Sequence, residues 1–298
     1  MKMEWSGVIP ALTTAFKEDL TVDLEFVARH CRWLVENGCT GIVALGSLGE
    51  AATLAALEKA EVLRACVKAV GASVPVVAGI SALSTAEAVS LAKTAADAGC
   101  SGLMVLPPYV YLGDWRETKA HVTAILRATS LSCMLYNNPI AYKVDFIVEQ
   151  VRELVAENSN LHAIKESSAD VRRVTALRAV LGERLRVLVG VDDAIVESLG
   201  VGAVGWIAGL VNAFPKESVQ LFELAKAGRT KETLALYNWF LPLLRMDTVP
   251  KFVQLIKLVQ EEVGFGSSRV RPPRLQLAGK ELDEARAVIS ETLSKRPR

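Results

Sequence analysis

Apolar residues along this chain fall into short unbroken runs, separated by longer stretches in which apolar positions recur with the period of a helix. A short run bounded by turn residues reads as a strand buried on both faces, and a 3.6-residue period reads as a helix with one face on a core. The runs at 7–13, 41–45, 75–80, 102–106, 132–136, 161–165, 185–190 and 202–207 are predicted strands. Between and after them the pattern predicts helices at 23–37, from the Gly46–Glu50 turn to about 70, at 84–98, 115–129, 145–157 and 170–181, a short one from Asp192, and 215–227. Boundary residues agree: Gly38 follows the first helix, Ser84 to Glu87 has the form of a capping box, and Pro215 and Gly228 bracket the last helix.

Eight strand-then-helix units in succession predict a parallel sheet with right-handed crossovers, and eight strands close a barrel. The expected fold is α/β, a (β/α)8 TIM barrel over residues 1–228. An open doubly wound sheet is the alternative, and no Gly-x-Gly-x-x-Gly turn follows the first strand to support it. Beyond Gly228 three more helices are predicted at 230–244, 249–263 and 281–293, with a break at Arg271-Pro272-Pro273. No linker rich in Gly, Ser or charge precedes them, so residues 229–298 read as a C-terminal helical extension packed on the barrel.

Composition narrows the function classes. With 34 basic and 33 acidic residues the net charge is +1, so no single-sign field exists to hold nucleic acid or an anionic membrane. The opening Met-Lys-Met-Glu-Trp-Ser-Gly lacks an apolar core of signal-peptide length, and no run of about 18 apolar residues occurs. A soluble, unprocessed, cytoplasmic protein is expected. Cys31, Cys39, Cys66, Cys100 and Cys133 are odd in number and form no C-x-x-C pair, which fits a reducing compartment and neither a disulfide framework nor a zinc site. His30, His121 and His162 are not at ligand spacing, so no metal cofactor is expected.

The most informative stretch is Leu161 to Ser168, where an apolar strand ends on Lys165. Alternation puts Lys165 on the face of Leu161 and Ala163, where a core residue is expected. A buried lysine loses its charge readily and becomes a nucleophile for carbonyl carbon, whereas a strand-end lysine can equally snorkel to water. Tyr136 continues the alternation of Ser132 and Met134, which aims its ring into the barrel beside the Lys165 strand. A phenol there suits the acid/base steps of Schiff-base chemistry, and the competing reading is a core tyrosine with a satisfied hydroxyl.

Strand two ends in Gly46-Ser47-Leu48-Gly49-Glu50, whose glycines and serine can bring N–H and O–H groups to a carboxylate, or can form an ordinary capped turn. Asp192, after strand seven, is either a binder of substrate hydroxyls or an N-cap. Gly205-Trp206-Ile207-Ala208-Gly209 closes strand eight with small residues that leave room for a ligand. These positions share the rim where barrel strands end, which is where barrel enzymes place their chemistry.

With Gly46–Glu50, Tyr136-Asn137-Asn138-Pro139 and Ile164-Lys165-Glu166, the sequence resembles the dihydrodipicolinate synthase and N-acetylneuraminate lyase superfamily over its whole length. The resemblance implies a class I mechanism without metal or nucleotide, in which Lys165 forms a Schiff base with pyruvate or a related 2-oxo acid and Tyr136 shuttles protons. It also implies that Ser47 and the backbone of Gly46, Leu48 and Gly49 hold the substrate carboxylate, that Ile207 adds a backbone contact, and that the assembly is a homotetramer.

Two departures bear on the substrate. The arginine that dihydrodipicolinate synthases carry two residues after the proline is Ala141 here, with Lys143 the nearest cation, and a lysine does not replace a guanidinium fork. The aromatic that many relatives extend across the dimer interface is Val110, with Tyr111 one step later as its candidate substitute in the substrate site. A lyase outside the lysine pathway is therefore the expected function, by aldol cleavage, dehydration of a 2-oxo-3-deoxy sugar acid or deamination of 4-hydroxy-1-pyrroline-2-carboxylate. The alternatives are dihydrodipicolinate synthase itself and a non-catalytic barrel that binds an oxo acid.

Overall fold

In the computed structural model, which describes residues 3–297, eight strands pair in parallel in the order β1-β8-β7-β6-β5-β4-β3-β2. They are β1 (Gly7–Pro10), β2 (Ile42–Ala44), β3 (Val76–Ile80), β4 (Gly102–Val105), β5 (Ser132–Asn137), β6 (Leu161–Glu166), β7 (Arg186–Val189) and β8 (Gly205–Ala208). Just past β1, Ala11 bridges Val43 in parallel and the Leu12 N–H donates to the Val43 carbonyl at 2.8 Å. That contact joins the two ends of the sheet, and the fold is a (β/α)8 barrel. Met1, Lys2 and Arg298 lie outside the described residues, including the first two of the stretch read for a leader. Among those described, no helix is long and apolar enough to cross a membrane.

Several paired strands stop short of the apolar runs because the backbone leaves the ladder to build the rim. After β1, for example, the Thr13 N–H goes to the Asn212 side chain at 3.2 Å in place of a strand partner. Helix Leu24–Glu36 begins where Asp23 accepts from the Phe26 N–H at 3.0 Å, and helix Thr85–Asp97 where Ser84 accepts from Glu87 at 3.2 Å. The helix expected from residue 145 begins only at Val148, because the Asp145 carboxylate is committed to Arg173 and Asn137. A four-residue helix, Pro139–Tyr142, fills the loop before it and was not expected from the pattern.

The C-terminal helices Thr230–Leu244, Phe252–Glu262 and Gly279–Ser294 share one buried cluster with the barrel. Phe240 stacks on Trp239 at 5.1 Å and meets Phe214 edge-on at 5.6 Å. Burying each such ring contributes about 1.5–3 kcal/mol. Thr13, at the rim beside β1, donates its hydroxyl to Gln260 at 2.9 Å, so the extension reaches the end of the barrel that carries the site.

His30 gives this core a pH limit. Its ring is fully buried and Nε2 meets the Asn212 carbonyl at 3.0 Å, while Nδ1 has no partner. Burial lowers its pKa from 6.5 to about 4. Between those values the unfolded chain binds the proton and the folded chain does not, so stability is full above about pH 6.5 and falls as the pH drops toward 4. The loss amounts to about 3 kcal/mol, and denaturant titrations of the wild type and His30→Leu at pH 7 and 4.5 should show a shallower decline in the variant. Equal declines would remove His30 as the cause.

Candidate active site

The register of β5 against β6 sets Tyr136 opposite Lys165 and Asn137 opposite Glu166. Neighbours across a ladder point the same way, so Tyr136 and Lys165 enter the barrel together and Asn137 and Glu166 face the helix layer. Lys165 is 6% exposed and Tyr136 5%, and the lysine Nζ lies 4.2 Å from the centre of the tyrosine ring. The register shifts between Cys133 and Met134, leaving His162 as an extra residue in β6 that turns outward while its neighbours stay buried. On the far face Asn137 donates to Glu166 at 3.0 Å, and Glu166 accepts from the Ser168 N–H at 2.7 Å. That pair fixes the two strand ends whose other faces carry the amine and the phenol. Burial pushes the Glu166 carboxyl upward in pKa.

Room for the lysine comes from Gly190, at the end of β7. A Cβ there would lie 2.2 Å from Lys165 Cε and 2.2 Å from Ser167 Oγ, so any side chain at this position displaces the amine. Ser167 was not singled out from the sequence. Its hydroxyl is buried without a hydrogen-bond partner beside the lysine. The available signal was a small polar residue two positions after Lys165.

The Gly46–Glu50 turn is bracketed by Leu45 and Glu50 in left-handed conformation, at φ 62° and 54°. Gly49 packs against the Leu12 carbonyl, where a Cβ would come within 2.9 Å, and Thr14 donates to the Gly49 carbonyl at 2.7 Å. Leu48 is buried, and Ser47 stays half-exposed with its hydroxyl hydrogen-bonded to that of Tyr142. Ile207 is buried in β8.

Two expected site residues are placed differently from the reading of the sequence. The buried Asp192 carboxylate accepts from Trp206 Nε1 at 2.9 Å, from the Gly209 N–H at 3.1 Å and from the Leu210 N–H at 2.7 Å. With its oxygens so occupied it anchors the turn after β8, and its side chain caps no helix. Tyr111 is exposed and its hydroxyl donates to Glu117 at 3.1 Å, so within the chain it does not join Ser47. A charged neighbour six residues on captures it.

Asp247 was also missed. It sits in the turn after helix Thr230–Leu244 and its carboxyl packs on Gly209, where a Cβ would fall 2.0 Å from Oδ1. Burial and the nearby Asp192 charge raise its pKa well above the ordinary value, against the opposing charge of Lys165. Burial raises Asp192 as well, to about 6, against its three N–H donors. Those donors favour the ionised form of Asp192, whereas burial beside that charge disfavours ionisation of Asp247. The mouth thus gathers an amine, a phenol, the unpartnered Ser167 hydroxyl and the Asp247 carboxyl group.

The sequence model described as the dihydrodipicolinate synthetase family matches residues 4–292. The chain belongs to that family. Members are Schiff-base-forming class I lyases, and this chain is one. A 4-hydroxy-tetrahydrodipicolinate synthase from Bartonella bacilliformis is 31% identical over 271 residues, covering 91% of this chain and 92% of its own. The crystal structure of a dihydrodipicolinate synthase from Bacillus anthracis superposes with a TM-score of 0.93 at 27% identity, over 99% of this chain and 100% of the other. A prophage protein of the same family from E. coli K12, solved in complex with pyruvate, gives 0.90 at 26% identity over 97% and 99%.

Proposed function

We propose that the lyase binds a 2-oxo acid, pyruvate or a close relative, as an imine on Lys165, with the carboxylate received by Ser47 and the backbone of Gly46, Leu48 and Gly49 and flanked by Ile207. The observation that carries this reading is the pairing of buried Lys165 with Tyr136 across the β5–β6 ladder. The amine nitrogen attacks the carbonyl carbon, and the resulting carbinolamine oxygen takes a proton and leaves as water. The iminium then draws electrons from the adjacent carbon, and Tyr136 takes or returns the proton there. The iminium is itself the electron sink, so in this reading neither metal nor nucleotide takes part.

The second part of the substrate is neutral or basic, which puts the reaction outside lysine biosynthesis. Ala141 offers no guanidinium, the Lys143 ammonium donates to the Ile140 carbonyl of its own turn at 2.9 Å, and Asp247 sets an acid at the mouth. Dehydration of a 2-oxo-3-deoxy sugar acid or deamination of 4-hydroxy-1-pyrroline-2-carboxylate suits such a mouth better than a second substrate that brings its own carboxylate. The synthase reaction remains the second reading, on the names of the relatives. A barrel that only binds an oxo acid needs neither nucleophile nor proton shuttle, which weighs against that function.

The active form in this reading is a homotetramer, supported by the exposed apolar run Val110, Tyr111 and Leu112, with Val110 85% exposed. Five free, buried cysteines support a reducing, cytoplasmic setting. Borohydride reduction with pyruvate, followed by peptide mass spectrometry, is expected to place one adduct on Lys165. A substrate panel scored for release of pyruvate, water or ammonia then separates the lyase reactions from the synthase. Absence of any adduct across the oxo acids tested would return the barrel to the role of binder.

A further inference from the structure

Tyr142 brings a hydroxyl into the site that none of the sequence motifs announces. It closes the short helix Pro139–Tyr142, which Asn138 caps by accepting from the Ala141 N–H at 3.0 Å and which Lys143 ends in left-handed conformation at φ 61°. The Tyr142 ring stands edge-on to Tyr136, with centres 5.7 Å apart, and tilts against Tyr109 at 5.6 Å. Its hydroxyl is hydrogen-bonded to that of Ser47, and the Tyr109 phenol packs beside it. Burial, reinforced by the neighbouring phenols, holds Tyr142 well above the ordinary tyrosine range, and burial raises Tyr109 too. Both therefore carry their protons at neutral pH. Tyr109 is half-buried, with the Arg274 charge close enough to act on it.

We propose that Ser47, Tyr142 and Tyr109 form a hydroxyl chain inside a single subunit, in which Tyr142 positions Ser47 and passes protons between the imine site and the rim. This rests on the imine reading above. In the step it serves, Tyr109 gives a proton to Tyr142, Tyr142 to Ser47, and Ser47 to the carbinolamine oxygen, which leaves as water. Solvent restores the Tyr109 proton, so each hydroxyl gives one and receives one. Tyr142 does not touch the reacting carbon and is a positioning residue. The geometry also answers the departure at Val110: the hydroxyl that meets Ser47 comes from the same chain, four residues beyond Asn138, while Tyr111 is turned to Glu117.

The test is the rate at which Lys165 becomes trappable by borohydride after mixing with pyruvate, followed in H2O and in D2O. Tyr142→Phe keeps the ring and is expected to slow trapping by about 10²-fold, the lower end for a lost acid/base group, while the final adduct per subunit is unchanged. The D2O effect on that rate is expected to change as well, which a purely structural role would leave alone. Tyr109→Phe breaks the outer link and serves as a second variant if the first does not fold. A wild-type rate and D2O effect in these variants overturns the proposal but spares the imine reading. A wild-type enzyme that forms no adduct overturns both. If Tyr111→Phe is slow and Tyr142→Phe is not, the relay comes from another subunit and the proposal is likewise overturned.

Discussion

Lys165→Ala is expected to lower turnover by about 10⁴–10⁶-fold, the scale on which removal of a covalent nucleophile leaves only binding and orientation. Its neighbours sharpen the expectation. Tyr136 lies across the ladder and Gly190 leaves the space the lysine tail occupies, so the amine is held where the phenol can serve it. Tyr136→Phe keeps the ring under the lysine and removes the hydroxyl, which accepts from Asn138 at 3.1 Å. A slower reaction by about 10²–10⁴-fold, with the pyruvate adduct still forming on Lys165, is expected there. Steady-state rates with the best substrate of the panel, paired with adduct mass spectrometry, measure both. Wild-type turnover in Lys165→Ala would end the Schiff-base assignment.

The contrast between these two residues and the rest of the mouth shows where sequence reading works. Lys165 and Tyr136 were legible because strand alternation is a local rule, and a charge or phenol on the inward parity stands out against Leu, Ala and Met. The eight strands were legible for the same reason: each is a short apolar run between turn signals. Asp192, Asp247 and Tyr142 were not, because their roles are set by partners the local pattern does not reveal. Asp192 is tied to Gly209 and Leu210, Asp247 reaches the mouth from the helical extension, and Tyr142 meets Ser47 from a turn 95 residues away. Tyr111 likewise depends on a neighbour. Its spacing is one step off that of a family aromatic, and only the nearby Glu117 shows where the hydroxyl goes.

Glu50 belongs to the same group, and its partner carries the largest expected effect on stability. It closes the Gly46–Glu50 motif, and its carboxylate is buried against Lys257 of helix Phe252–Glu262 at 2.8 Å and accepts from the Arg271 N–H at 3.0 Å. The Lys257 ammonium also lies 4.4 Å over the Phe16 ring. Removing one partner of a buried pair strands the other charge in an apolar surround, so Lys257→Met is expected to cost about 3–5 kcal/mol. For a chain of this size that corresponds to a fall of about 5–8 °C in Tm. The exposed pair Lys280–Glu284 sets the comparison, and Lys280→Met should change stability by less than about 0.5 kcal/mol. Replacing both members, as Glu50→Gln with Lys257→Met, should recover part of the loss because no unpaired charge remains. Calorimetric Tm values for the single and double variants measure this. A shift under about 1 °C in Lys257→Met would mean that the extension does not hold the turn carrying Ser47 through this pair.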